Sequence, residues 1–327
     1  MPPTLQKSRS SVHWPKSSST QKPQRGPRGQ WIEALFERAD VRINGTRPWD
    51  FQVRDPRAWN RMLRRGTLGF GEAYMEGEWD CDAIDEMVCR LLRNGNGRTY
   101  NNPLLECAQG LRTGMLNLQS RSRAFQVGEA HYDIGNDLYS RMLDKRMTYT
   151  CAYWGAGAKT LEEAQRDKLE LICQKLKLRP GMRVLDIGCG WGSFCHYAAE
   201  NHGVECVGLT VSREQARFGK ERCADLPVEI RLQDYRDVDE RFDRVLSVGM
   251  FEHVGPKNYR AYMRVTRRCL KPDGLSLLHT IGNNITCRVP DPFFTRYIFP
   301  NGHLPSLFLS GLFFCNDPYL APTPWRQ

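Results

Sequence analysis

The sequence predicts an α/β fold: a parallel sheet with helices on both faces, preceded by a smaller α+β or helical domain. Two observations predict it. From residue 160 onward, short apolar runs rich in Val, Ile and Leu alternate with polar helical stretches. The first such run is followed at once by glycines at alternate positions, Gly188, Gly190 and Gly192, and then by a helix. In order, TLEEAQRDKLELICQKLKL (160–178) reads as a helix opened by a capping box from Thr160 to Glu163 and stopped by Arg179-Pro180-Gly181. RVLDI (183–187) is a strand, and a helix starts from Trp191. VECVGLT (204–210) is a strand, 212–224 a helix, and VEIRLQ (228–233) and FDRVLSV (242–248) are strands. A helix over 257–270 leads to a fifth strand, GLSLLHT (274–280). Right-handed crossovers put the carboxyl ends of parallel strands on one rim. The glycine turn, QDY, GMFEH and HTIG therefore share a rim and can share a site.

Upstream, residues 31–93 read as a small domain. Trp31, Leu35 and Phe36 suit a helix face, VRING reads as strand and turn, FQVRD as a second strand, and WNRMLRR as a short helix ending near Gly66. NGNGRTYNNP (94–103) is a turn-rich linker, with a further helical stretch to about residue 123. Residues 1–30 hold six Lys or Arg and no acid, within a net charge of +10. This Ser-, Pro- and Gln-rich tail cannot bury enough apolar surface to offset ordering entropy and reads as disordered. It either contacts nucleic acid or an anionic membrane, or only solubilises the chain. The expected division is thus a basic tail (1–30), a first domain with linker (31–123), a main domain (124–306) and an atypical tail (307–327).

Composition narrows the function classes. A hydrophobic content of 40% and a charged content of 26% suit a soluble globular protein. The twelve cysteines form no CxxC pair and no regular metal-ligand spacing. With no apolar leader segment and no apolar run near 18 residues, the reading is a reduced cytoplasmic protein without a metal site.

VLDIGCGWGSF (184–194) carries the main chemical signal. Its glycines let a ligand approach the backbone closely. The spacing is GxGxG, and the second strand ends in Thr210 where a dinucleotide fold would place an acid, which weakens a dinucleotide reading. Asp186 before the turn suits a cationic amino acid moiety, so S-adenosylmethionine fits. Gln215 either binds ribose hydroxyls or is an exposed helix glutamine. Gln233, Asp234 and Tyr235 either hold an adenine or form a polar loop. Glu252 follows a strand end and needs a partner if buried. His279 ends the neighbouring strand, and an acid facing a histidine there is a site candidate. Cys151, in TYTCAYW (148–154), reads on its own as an unreactive buried thiol.

HYDIGNDLYSRMLDKRMTYTCAYW, VLDIGCGWGSF, QDYRD, FDRVLSVGMFEHVGPKNY, LLHTIG and YIFPNGHLPS, with INGTRP and GTLGFGEAYMEGEWD upstream, resemble the signature blocks of cyclopropane-fatty-acyl-phospholipid synthases. The likeness covers roughly residues 31–306. The upstream blocks favour the bacterial phospholipid enzymes over the shorter mycolic acid synthases. The resemblance implies a methyltransferase Rossmann-like domain behind a small lipid-engaging domain. It implies transfer of a methyl group from S-adenosylmethionine to a cis double bond of a membrane phospholipid, with closure of a cyclopropane ring. It assigns Tyr149, Thr150, Asp186, Gly188, Cys189, Gly190, Gly192, Thr210, Gln215, Gln233, Asp234 and Tyr235 to the cofactor. Cys151, Glu252, His279 and the backbone of Ile281 go to a bound bicarbonate ion that removes the proton before ring closure. Tyr149, Tyr153, Trp154 and Phe251 would then offer ring faces to a cation, or simply pack in a core. A homodimer that visits an anionic membrane surface peripherally, with no specific nucleic acid partner, completes the expectation.

The likeness stops after YIFPNGHLPS. LFLSGLFFCNDPYLAPTPWRQ matches none of the blocks, so a frameshifted or shortened chain is expected, without a downstream tyrosine of the bicarbonate site and without two further strands. The fifth strand would then keep an unpaired apolar edge. Two other functions stay open: a lipid-directed methyltransferase with a different fate for the cation, and a non-catalytic lipid or cofactor binder.

Overall fold

A computed structural model describes residues 27–94, 117, 119, 136–284, 291–299 and 302–306. The chain forms two compact units, Met1–Ala108 and Gln109–Gln327. The side chain of Trp31, residues 95–103 of the expected linker, the helical stretch to 123 apart from residues 117 and 119, the atypical tail and residues 1–26 of the basic tail lie outside the described residues.

In the first unit, α1 (Pro27–Arg38) begins four residues inside the segment expected to be disordered. Proline suits the first helical position, where its missing N–H is not needed. VRING contributes only a single bridge, Ile43 to Phe51, and the paired strands are β1 (Gln52–Val53) and β2 (Trp79–Asp80). The helix expected to end near Gly66 instead turns there and resumes, giving α2 (Arg57–Met75). Gly66 has φ 57°, ψ −132°, which an L side chain rarely adopts. Helix α3 (Ile84–Asn94) completes the unit. Its core is aromatic: Phe51 lies 5.0 Å from Phe36, 4.9 Å from Trp79 and 5.6 Å from Trp59 between ring centroids. Buried carboxylates beside that core meet guanidinium groups: Asp50 with Arg47 at 2.8 Å, Glu78 with Arg61 at 2.9 Å, and Glu72 with Arg65.

The second unit opens, among the described residues, with α4 (Asn136–Met142) and α5 (Leu161–Lys175). The capping box is present, with Thr160 accepting from Glu163 N and the Glu163 carboxylate reaching back. Then come β3 (Arg183–Ile187), α6 (Ser193–His202), β4 (Glu205–Thr210), α7 (Arg213–Arg222), β5 (Val228–Leu232), β6 (Phe242–Val248), α8 (Tyr259–Cys269) and β7 (Leu270–His279). All five strands are parallel, in the order β5-β4-β3-β6-β7. Among the described residues β7 pairs only with β6.

Side chains alternate across the central strand. Val184 joins Leu169, Ile172, Phe194 and Ala216 from α5, α6 and α7, whereas Leu185 and Ile187 join Tyr259, Tyr262 and Met263 from α8. Helices thus cover both faces. The order reverses beside β3, and the crevice at the carboxyl ends opens there.

Candidate active site

Two adjoining cavities occupy that rim. One is lined by Gly188, Gly190, Thr210, Gln215, Gln233, Asp234 and Tyr235. The other is lined by Tyr149, Thr150, Lys168, Asp186, Cys189 and Trp191, and both include Gly188, Gly190, Gln215 and Gly249. The glycine turn is therefore the shared wall. Gly188 sits at φ 88°, and a Cβ there would fall 2.6 Å from Met250. Gly249, which opens the GMFEH segment expected on this rim, matters as much. Its N–H donates to the His279 carbonyl at 2.9 Å, and a Cβ would strike Thr150 at 2.4 Å. Loop 148–151 can rest on the end of β6 only because this residue has no side chain.

The rest of the loop is pinned from below. Gln165 on α5 donates to the carbonyls of Thr148 (3.2 Å) and Thr150 (2.9 Å), and Lys168 Nζ donates to Thr150 Oγ1 at 2.7 Å. Ser193 donates to the Arg146 carbonyl at 2.5 Å. Cys151 emerges from the clamp with Sγ 3.5 Å from His279 Nε2. Across the rim, Glu252 Oε1 accepts from Ile281 N at 2.6 Å. Tyr149 and Thr150 thus line a cavity while the very next residue touches the histidine.

The charges here are poorly compensated. Asp186 is buried, with Oδ1 unpartnered among the described residues and Oδ2 3.7 Å from the Cys195 thiol. Burial pushes its carboxyl up to about 7. Burial also raises Glu252, against the pull of the Ile281 N–H, and its Oε2 meets the geometry for no hydrogen bond among the described residues. Burial holds the His279 imidazole below its usual range, and Lys168 and Lys175 add to this. Its Nδ1 is also unpartnered among the described residues.

The expected residues stand in varied surroundings. Cys151 is exposed, not a buried thiol, because the loop lifts it out of the core. Phe251 is 0% exposed and stacks on Tyr259 at 4.3 Å, so it belongs to the core and offers no face to a ligand. Tyr153 and Trp154 are exposed, not core residues. The Asp234 carboxylate is held by the Arg236 guanidinium at 2.9 Å and 3.0 Å and by the Arg236 N–H at 2.9 Å. Gly192 lines neither cavity; it caps α6 in the left-handed region, close to Gly219 and Cys223. Ile281 spends its N–H on Glu252. Gln215 is buried, accepts from the Thr210 hydroxyl at 2.7 Å and lines both cavities, so it is not a solvated helix glutamine.

Lys168 was missed. A lysine inside LEEAQRDKLELICQK reads as a solvent-facing charge. Yet Gln165, Lys168, Leu169, Ile172 and Cys173 fall at helical spacing, and all are buried. A charged residue on the apolar stripe was the available signal.

A family model described as mycolic acid cyclopropane synthetase matches residues 119–309. The cyclopropane-fatty-acyl-phospholipid synthase of Escherichia coli strain K12 is 50% identical over 293 residues, spanning 90% of this chain and 76% of that protein. Cyclopropane mycolic acid synthase 3 of Mycobacterium tuberculosis is 39% identical over 196 residues, 55% of this chain and 68% of that protein. Among solved structures, mycolic acid cyclopropane synthase CmaA1 complexed with SAH and CTAB aligns with a TM-score of 0.55 and 35% identity, covering 59% of this chain and 74% of that one. The sheet and these neighbours together give an S-adenosylmethionine-dependent methyltransferase fold.

Proposed function

The chain belongs to the mycolic acid cyclopropane synthetase family of S-adenosylmethionine-dependent methyltransferases, and from that premise we propose that it cyclopropanates a cis-unsaturated acyl chain of a membrane phospholipid. The phospholipid substrate is favoured by the long match to the Escherichia coli enzyme, which extends beyond the methyltransferase unit. One observation carries the reading. Tyr149 and Thr150 line the cofactor cavity, and adjacent Cys151 lies 3.5 Å from His279, so the cofactor wall and a polar cluster are built on consecutive residues.

The residues fit S-adenosylmethionine. Asp186 offers a buried carboxylate oxygen without a partner among the described residues, which suits the ligand's ammonium. Gln215, Thr210 and Gln233 line the neighbouring cavity and suit the ribose and base. When bound, the cofactor supplies an electrophilic sulfonium methyl group. The chain's own residues orient it and keep water away: the loop clamped by Gln165 and Lys168 fixes Tyr149 and Thr150.

A bicarbonate ion also suits the polar cluster. Glu252 Oε2 and His279 Nδ1 are buried polar atoms that meet the geometry for no hydrogen bond among the described residues, and Cys151 adds a thiol. Burial raises the Glu252 carboxyl and so favours its protonated form, the form that could donate a hydrogen bond to an anion. Ile281 supports the site through Glu252, which its N–H anchors, and not as a direct donor. The ion would serve as the base for the proton lost before ring closure. Tyr153, Trp154 and Ile281 are exposed apolar residues within three positions of the cluster and suit an acyl chain leaving a membrane. Among the described residues no helix is long and apolar enough to cross a membrane, and the proposal includes peripheral binding from the cytoplasm.

The test incubates the protein with methyl-labelled S-adenosylmethionine and vesicles of a cis-unsaturated phospholipid, with and without bicarbonate. The expected product is an acyl chain heavier by one CH2 and lacking the double bond, formed faster with bicarbonate. A methylated chain without a ring would favour a different fate for the cation. Cofactor binding without labelled lipid would favour a non-catalytic binder.

A further inference from the structure

Lys168 has so far served only to brace the loop at Thr150, and its surroundings are unusual for a lysine. It sits in the middle of α5 at 5% exposure. Among the described residues its ammonium has one hydrogen-bond partner, the Thr150 hydroxyl, and no carboxylate within 4 Å. An ammonium has three donors, and a buried cation without a counter-charge is costly. The side chain lines the same cavity as Asp186, Gly188 and Gly190. That cavity thus carries a cation on the α5 wall and an anion on the β3 wall, too far apart to pair with each other.

Two opposite charges separated by a cavity match a zwitterion. Granting the reading that this chain binds S-adenosylmethionine, we propose that Lys168 is the counter-charge for the carboxylate of the cofactor's methionine moiety, opposite Asp186. The arrangement explains why a lysine is kept on the apolar stripe of α5. It also explains the contact with Thr150: the same ammonium braces the loop that closes the cavity, so ligand and loop share one donor group. Burial lowers Lys168 to about 8, with Cys151, Asp144 and Asp186 acting in the opposite direction; His279 faces it across the rim. A bound carboxylate would secure its proton.

The experiment compares calorimetric binding of S-adenosylhomocysteine with binding of its decarboxylated analogue, which keeps the amine, to the full chain and to Lys168→Met. The expected wild-type result is a preference of about 10-fold or more for the carboxylate-bearing ligand, the size of a charge-assisted hydrogen bond. Lys168→Met should lose that preference while still binding the analogue. Equal weakening of both ligands in the variant would make Lys168 only a prop for Thr150 and would overturn the proposal. A wild type that binds both ligands equally would overturn it too. A wild type that binds neither would sink it together with the cofactor reading. Should Lys168→Met not fold, the wild type decides through pH. The preference should shrink as pH rises from 7 to 10 and the ammonium loses its proton, and a constant preference over that range overturns the idea.

Discussion

Three buried acids of the first unit and three buried charges at the rim of the second are treated in opposite ways. In the first, Asp50, Glu72 and Glu78 each meet an arginine, and Asp50 also accepts the N–H groups of Arg42 and Arg47 at 2.8 and 3.0 Å. Burial alone would raise the Asp50 carboxyl, but the Arg47 guanidinium and those two N–H groups outweigh it and hold it below the usual range. In the second, Asp186, Glu252 and Lys168 lie at one rim without an ion pair among the described residues. The first pattern serves folding, because each charge is compensated before any ligand arrives. The second leaves the compensation to a ligand and costs stability until then. The difference separates a structural use of charge from a functional one.

The sharpest way to break this comparison is Glu252→Gln. If the Glu252 carboxyl, anchored at Oε1 by the Ile281 N–H, holds the base that takes the proton, product formation falls by about 10²–10⁴-fold, the range for disabling a proton transfer. S-adenosylhomocysteine affinity should be unchanged, as titration calorimetry would show. Retained activity would return Glu252 to a structural role.

Asp186→Asn comes next and should move binding and stability in opposite directions. Affinity for S-adenosylhomocysteine should drop by about 10–100-fold through loss of a charge-assisted bond. The Asp186 carboxyl sits at about 7 in the fold, above an unfolded value of about 3.9. Its stabilising contribution is therefore complete below about pH 4 and is lost as pH rises through about 7. At pH 8 the ligand-free wild type bears the full cost of the buried charge, so the variant should melt higher there. A variant that melts lower at pH 8 would refute the assignment.

In the first unit, Arg47→Ala sharpens the contrast. Asp50 keeps two backbone donors, so the loss should be about 2 kcal/mol in urea unfolding, with no change in S-adenosylhomocysteine affinity. Weakened ligand binding would mean that the two uses of charge are not separate. The smallest effect is expected for Cys151→Ser. A hydroxyl can replace a thiol as one wall of a polar cradle, and product formation should fall by about 10-fold or less. Complete loss would instead make the thiol a covalent nucleophile.

The rim was legible because strand, glycine turn and helix follow one another in the order a parallel sheet demands, and because crossover handedness sends the strand ends to one side. Gly188, Gly190, Thr210, Gln215, Gln233 and Tyr235 meet there as the sequence predicts. Three features resisted. A helix ends at most glycines of the Gly66 kind, but this one resumes because the left-handed residue turns the chain back onto itself. With Gly69 in place of a larger residue, the two segments touch backbone to side-chain root; a Cβ there would lie 2.1 Å from the Arg61 carbonyl oxygen. Phe251 stands one residue before Glu252, yet its ring points into the core under α8, and a 3-10 turn has no period from which to foresee that. Lys168 was hidden by its own chemistry, since a lysine in a charged helix reads as solvated unless its place on the apolar stripe is counted.

Tyr149, Thr150 and Cys151 have a consequence for engineering and descent. Three consecutive residues address a cavity and a polar cluster, and α5 fastens them by gripping the carbonyls at 148 and 150. Inserting or deleting one residue there would shift every side chain to its neighbour's task. The stretch should thus tolerate exchange of side chains far better than any change of length. A transplant of this loop into another methyltransferase would have to bring Gln165 and Lys168 along, as well as a residue without a side chain at the position of Gly249.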